Sequence, residues 1–110
     1  FALDEHGKPN IGPFNCGGLV QVHSQTKELA YCGQYWAFAH YSRFVKREAR
    51  RFDSQSTNSD LLHVAFENPN GGRVVVLTNP GPAQNCELRL GNQSTSVKLD
   101  QNSVTTLQWS

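Results

Sequence analysis

The sequence predicts a mostly β protein: antiparallel β-sandwich strands preceded by one long buried helix. Three observations carry that expectation. After Ala49, short runs alternating apolar and polar residues recur at roughly eight- to twelve-residue spacing, as in a sandwich. Strong turn sequences separate them, the clearest being Asn68-Pro69-Asn70-Gly71-Gly72. Before them, Leu29–Val45 reads as one helix that is apolar on two sides.

Residues 1–18 carry four Gly, two Pro and two Asn, and read as a long loop. Loops of that length in compact domains are often functional. Leu19–His23 alternates well enough for a short strand. Ser24–Lys27 is a turn placed to cap the helix, with Ser24 or Thr26 as N-cap and Glu28 complementing the dipole in the first turn.

Within the helix, Leu29, Cys32, Trp36 and Ala39 form one stripe. Tyr31, Tyr35 and Phe38, continued by Tyr41 or Val45, form a second, with Phe44 between the two. A surface helix of a small domain shows a single stripe about 100° wide. Two stripes belong to a helix held between two layers, and the strands that follow suffice for one. The expectation is that part of the protein lies outside this chain. A start at Phe1 and the absence of Met point the same way.

The strands expected after the helix are Arg50–Ser54, Leu61–Glu67, Val74–Thr78, Cys86–Leu90, Ser94–Leu99 and Ser103–Trp109. Val74–Leu77 is the most apolar and belongs at the centre of a sheet. Arg50–Ser54 belongs at an edge. Asn79-Pro80-Gly81-Pro82, Gly91-Asn92-Gln93 and Asp100-Gln101-Asn102 supply the other turns.

Composition narrows the function classes. A length of 110 residues suits a single domain, and the 37% apolar and 17% charged fractions fit a β-rich, extracellular type of protein. A net charge of +1 gives no electrostatic case for nucleic acid, and the basic run Lys46–Arg51 has no interleaved aromatic residues to stack bases. There is no signal-peptide pattern and no apolar run near the length of a membrane span. The three cysteines have no zinc-type spacing. Cys16 and Cys32, close in sequence, are the candidate disulfide pair; the other reading is that Cys16, Cys32 and Cys86 are small buried apolar side chains.

His6, His23, His40 and His63 lack metal-ligand spacing, and nothing in the sequence calls for a cofactor. His40 reads as a hydrogen-bonded packing residue and Trp36 as core. Trp109 reads as cover for a sandwich edge or as a carbohydrate platform. Asn92-Gln93-Ser94 is an N-glycosylation sequon on a turn, which matters in a secreted eukaryotic protein. Asp4 and Glu5 are adjacent in a loop, and a solvated loop does not raise a carboxyl pKa to make a general acid.

Four segments, in order, carry a family resemblance. Ala2-Leu3-Asp4-Glu5-His6-Gly7-Lys8-Pro9-Asn10 resembles the loop after the last barrel strand of glycoside hydrolase family 30, the glucosylceramidase family. Tyr35-Trp36-Ala37-Phe38-Ala39-His40-Tyr41-Ser42-Arg43-Phe44-Val45 resembles that family's final barrel helix. Ala65–Gly71 followed by Val74–Asn79 resembles its sandwich hairpin, and Ser103–Trp109 its last strand. Two positions depart: Lys8 stands where members often have Gly, and Arg47-Glu48 where they have Pro-Gly.

The resemblance implies an architecture and a function. Residues 1–46 would be the last loop, short strand and helix of a (β/α)₈ barrel, and residues 47–110 a C-terminal β-sandwich domain, incomplete without strands from before the barrel. The parent would be a retaining β-glycosidase acting on β-glucosides such as glucosylceramide. Its two carboxylates would come from the fourth and seventh barrel strands, so this chain holds no catalytic residue. Asn10, Phe14 and Asn15 would line the rim of the substrate cleft, or simply close a Gly/Pro-rich turn. The implied partners are the rest of the same protein and, through it, a β-glucoside or glycolipid, with no nucleic acid. The isolated chain would self-associate, and the parent would be secreted or extracytoplasmic. The alternative is a non-catalytic β-sandwich module that binds carbohydrate or serves as an accessory. Upstream sequence bearing two Glu-carrying barrel strands would favour the first reading, and tight carbohydrate binding by the chain itself the second.

Overall fold

The computed structural model describes residues 2–9 and 17–110. They form nine strands and one helix, in two compact units that divide between Ala39 and His40.

The first unit contains a three-stranded sheet. β1 (Ala2–Leu3) pairs in parallel with β2 (Val20–Val22), and β2 pairs antiparallel with β3 (Leu29–Tyr31). A two-residue strand is too short for any periodicity to announce it. β3 corrects the sequence expectation, which placed Leu29–Tyr31 in the helix. Its register sets Val22 opposite Leu29 and Val20 opposite Tyr31. The intervening turn is closed by the His23 N–H on the Glu28 carbonyl at 2.9 Å and the Lys27 N–H on the His23 carbonyl at 2.9 Å. Ser24, Thr26 and Glu28 therefore belong to a hairpin turn and cap no helix.

The helix, α1, spans Gly33–Ser42 and crosses the division between the units. At ten residues it is shorter than expected, and none of them is buried. Trp36 is 58% exposed and Phe38 61%. The length of α1 corrects the expectation of one long helix, and within this chain its aromatic face is exposed, as expected of a helix covered by protein outside the chain. Its start is fixed by the last backbone bond of the preceding segment, from the Cys32 N–H to the Leu19 carbonyl. Past its last residue, Ser42, the N–H groups of Phe44 and Val45 both reach the Tyr41 carbonyl, at 3.1 and 2.8 Å, and the Lys46 N–H goes to the Asn68 side chain. Glu48, at φ 69°, then turns the chain toward the first strand of the second unit.

The second unit holds six strands, the number expected. They are β4 (Arg50–Phe52), β5 (Leu62–Glu67), β6 (Arg73–Asn79), β7 (Gln84–Leu90), β8 (Gln93–Leu99) and β9 (Ser103–Trp109). One antiparallel sheet runs β4-β5-β6-β9, and β7-β8 form a second. β6 is central and β4 an edge, as the apolar content of the two suggested.

β6 is buried on both faces, from Val74 to Leu77. Val75 and Leu77 point into a core with Leu61, Ala65 and Leu99, against which Phe52, Cys86, Leu88, Val97, Leu107 and Trp109 pack. Side chains alternate across a strand, so Val74 and Val76 face the other way, with their register partners Phe66, Val64 and Thr106. The chain from His40 to Lys46 lies on that side. Tyr41 meets Phe66 edge-on, with ring centroids 6.4 Å apart, and His40 Nδ1 lies 2.9 Å from Thr106 Oγ1. The long sheet is therefore a middle layer, which is why its central strand is apolar throughout.

Candidate functional site

The positions predicted for chemistry fall in different places. Asn10, Phe14, Asn15 and Cys16 lie outside the described residues. The proposed Cys16–Cys32 pair is therefore seen only at Cys32, half-buried just before α1; among the described residues Cys32 and Cys86 are free thiols. Asn92 is exposed at the tip of the β7–β8 hairpin.

Asp4 and Glu5 hold loops together. Asp4 Oδ1 accepts the N–H groups of His6 at 2.9 Å and Lys8 at 2.7 Å, closing its own turn. The Glu5 carboxylate reaches across to the β2–β3 turn, where it accepts the Ser24 hydroxyl at 2.7 Å and the Ser24 N–H at 2.9 Å. The Ser24 hydroxyl, then the backbone N–H groups of Glu5 and Ser24, and last the nearby His23, pull the Glu5 pKa down to about 2. Hydrogen bonds to a carboxylate favour its charged form. Glu5 is held as an anion, the opposite of what a general acid requires.

His23, His40 and His63 each find hydrogen-bond partners. His23 Nδ1 accepts the N–H groups of Gln25 and Thr26, both at 3.3 Å. His40 meets Thr106, the packing role expected of it. His63 Nδ1 lies 2.6 Å from Ser54 Oγ, a pair that sequence reasoning missed. Only the strand register reveals it: Phe52 lies opposite Ala65, and the same spacing carried two residues past the end of β4 brings Ser54 opposite His63.

The sandwich is open along two flanks. One groove, about 700 Å³, runs past Phe52, Ser54, His63, Gln84, Leu88 and Trp109. The other, about 1020 Å³, is lined by Leu88, Leu90, Val97, Leu107 and Trp109, with Asn92 and the exposed residues of β8 at its margin. Trp109 borders both while packing on the core, so it covers a sandwich edge. On the outer face of β7, Glu87 and Arg89 pair at 3.0 Å. Each holds the other charged, through their hydrogen bond first and their opposite charges second, lowering the carboxyl pKa and raising that of the guanidinium.

The comparisons fit this architecture. Residues 48–107 match the family described as the glycosyl hydrolase family 30 beta sandwich domain. A Caenorhabditis elegans protein, whose name assigns it provisionally as glucosylceramidase 2, is 34% identical over 80 residues, covering 66% of this chain and 16% of that protein. The crystal structure of SrfJ from Salmonella typhimurium superposes with a TM-score of 0.93 at 28% identity, covering 98% of this chain and 24% of that one. The endo-β1,6-glucanase BT3312 gives a TM-score of 0.84 at 28% identity, covering 98% of this chain and 25% of that one. The chain thus spans a quarter or less of the length of these relatives. With residues 48–107, more than half of the chain, matching the family's β-sandwich domain, the chain belongs to glycosyl hydrolase family 30.

Proposed function

We propose that this chain is the C-terminal part of a secreted retaining β-glycosidase acting on a β-glucoside such as glucosylceramide. In that protein residues 1–46 belong to the end of a catalytic barrel, and the sandwich supports the barrel and shapes access to its cleft. The observation that supports this most is the extent of the likeness to SrfJ. It covers 98% of the chain, and so takes in the first unit as well as the sandwich. The exposed aromatic side chains of α1 agree, because a face of that kind suits burial against further protein.

The chemistry divides accordingly. A retaining glycosidase needs two carboxyl groups about 5 Å apart, one with a raised pKa. Here Glu5 is held anionic by Ser24, Glu67 pairs with Arg73 and Glu87 with Arg89. Both catalytic carboxylates come from the barrel. This part contributes the cleft rim at Asn10, Phe14 and Asn15 and the platform on which the barrel rests.

The test is an assay of the full-length protein on an aryl β-glucoside, glucosylceramide and a β-1,6-glucan, with the 110-residue chain alongside. Turnover of the first two by the full protein, with retained anomeric configuration and none by the chain alone, is expected. Activity on the glucan alone would replace the substrate assignment. Turnover by the 110-residue chain, abolished by Glu5→Gln, would overturn the division of labour.

A further inference from the structure

The hairpin joining β7 to β8 turns in two residues, Gly91 and Asn92, between the paired Leu90 and Gln93. Gly91 takes φ +56°, whereas Asn92 has no positive φ. A positive φ at the first central position alone is the pattern of a type II′ hairpin turn. The turn therefore requires glycine at 91 and makes no conformational demand on residue 92. Asn92 is exposed at the tip. Ser94, two residues on, sits opposite Arg89 on the outer face of the hairpin and is exposed as well. Asn92-Gln93-Ser94 is the only Asn-x-Ser/Thr in the 110-residue sequence in which x is not proline.

We propose that Asn92 carries an N-linked glycan, and that this glycan covers the open apolar flank of the sandwich. The donor is an oligosaccharide on a lipid diphosphate. The Asn92 Nδ2 forms a bond to C1 of the first sugar. The bond from C1 to the diphosphate oxygen breaks, the lipid diphosphate leaves with the electron pair, and the amide nitrogen gives up one proton to solvent. The position gives the modification a physical role. Asn92 stands at the margin of the groove lined by Leu88, Leu90, Val97, Leu107 and Trp109. An apolar surface beside a strand edge invites association with another chain. A solvated oligosaccharide rooted at its margin blocks that approach without occupying the groove.

The inference goes beyond the glycosidase reading and rests on its extracytoplasmic part together with a eukaryotic source. The experiment uses the full-length protein, with its own N-terminal sequence, in cultured eukaryotic cells. Trypsin cuts after Arg89 and Lys98, releasing Leu90–Lys98 with Asn92 inside. Peptide N-glycosidase should increase gel mobility and leave Asp at position 92 of that peptide. Asn92→Gln and Ser94→Ala should each abolish the shift, and Ser94→Thr should keep it. None of these changes touches the turn glycine or the core. Recovery of bare Leu90–Lys98 from protein in the secretory fraction overturns the glycan and leaves the glycosidase reading intact. Bare protein confined to the cytosol overturns both the glycan and the extracytoplasmic assignment. Asn92→Gln should also raise light scattering by the purified protein, and unchanged scattering overturns the shielding role.

Discussion

Asn68 anchors the segment that follows the helix from a distance: its side-chain oxygen accepts the Lys46 N–H at 2.9 Å, twenty-two positions back along the chain. Its Nδ2 donates to the Phe44 carbonyl at 3.0 Å. Its own backbone opens the β5–β6 turn, with its N–H on the Gly72 carbonyl at 2.7 Å. One 3% exposed amide thus joins the end of the helix segment to the central hairpin of the sandwich.

Asn68→Ala should therefore destabilise the second unit by about 2–4 kcal/mol, because a half-buried donor and acceptor lose their partner together. Asn68→Asp should not rescue it. The carboxylate keeps an acceptor for Lys46 but turns an oxygen toward the Phe44 carbonyl. The urea midpoint of each variant in the full-length protein decides this. A midpoint within error of the unmodified protein would show that water replaces the side chain at no cost.

Much of this unit was legible in the sequence, and the reasons are local. Ser103–Trp109 forms a strand over the bounds expected, because its alternation is clean and turn residues flank it. Val74–Leu77 announced its central place by being apolar on both faces. Leu29–Tyr31 misled, since an apolar triplet beside a helix suits either periodicity and only pairing with Val20–Val22 decides it. The helix end was misread for a similar reason. Phe44 and Val45 continue the apolar pattern, whereas the Phe44 N–H already goes to the Tyr41 carbonyl and the Lys46 N–H to Asn68, which no helical window contains. Among the candidate site residues, Asn92 was legible as a turn position, and the Ser54–His63 pair was hidden until a register was fixed.

Asn79 plays a part like that of Asn68 at the other end of β6. It is 2% exposed; its Nδ2 donates to the Pro82 and Asp100 carbonyls, both at 2.8 Å, and its Oδ1 accepts from Gln84 Nε2 at 3.0 Å. The two carbonyls lie in the turns before β7 and after β8, so one amide ties both turns to the central strand. Asn79→Asp should be the more damaging change, since it presents an acceptor to two acceptors in a buried site. We expect Asn79→Ala to cost about 2–3 kcal/mol and Asn79→Asp at least as much near neutral pH. Chemical denaturation of both variants at pH 7 checks the order, and a more stable Asp variant would refute it.

Glu5 makes the first unit sensitive to acid. Its folded pKa lies near 2, below the ordinary value of 4.5, so the contribution of its bonds to Ser24 is fully present above about 4.5. That contribution declines as pH falls below the ordinary value and is gone below about 2. Carbon-detected NMR of the Glu5 carboxyl should show a midpoint close to 2. Ser24→Ala should move it upward, because the hydroxyl is the largest cause of the depression. A midpoint above 4 in the unmodified protein would mean that the Glu5–Ser24 link does not form in solution.

The aromatic face of α1 gives a test of the larger assembly. Tyr31, Tyr35 and Trp36 cluster, with ring centroids 4.4 Å apart for the two tyrosines and 5.1 Å for Tyr35 and Trp36. Trp36 and Phe38 nevertheless remain more than half exposed. Hydroxyl-radical footprinting reads this directly through the tryptic peptide Glu28–Arg43. In the 110-residue chain Trp36 should oxidise readily. In the full-length protein it should be protected, and Trp36→Ala should then cost about 3–5 kcal/mol, as for other buried aromatic residues. Equal oxidation in both proteins would mean that nothing outside this chain packs on that face.

The same exposed surfaces govern how the 110-residue chain behaves alone. Among the described strands, β4 and β9 end the larger sheet, and β7 and β8 form a sheet of two. Unpaired strand edges present a row of donors and acceptors to any other chain. β4 guards its edge with Arg50 and Arg51, and β7 carries Glu87 and Arg89 on its outer face. β8 has Lys98 as its sole charged residue, and the groove beside it exposes Leu88, Leu90, Val97 and Leu107. Association should therefore begin at β8. We expect light scattering to rise with concentration in the micromolar range. Introducing charge on the outer face of that strand, as Ser94→Lys with Ser96→Lys, should suppress it, whereas a second charged pair on β4 should not. A chain that stays monomeric and unfolds cooperatively would show that its nine strands and one helix need no further covering.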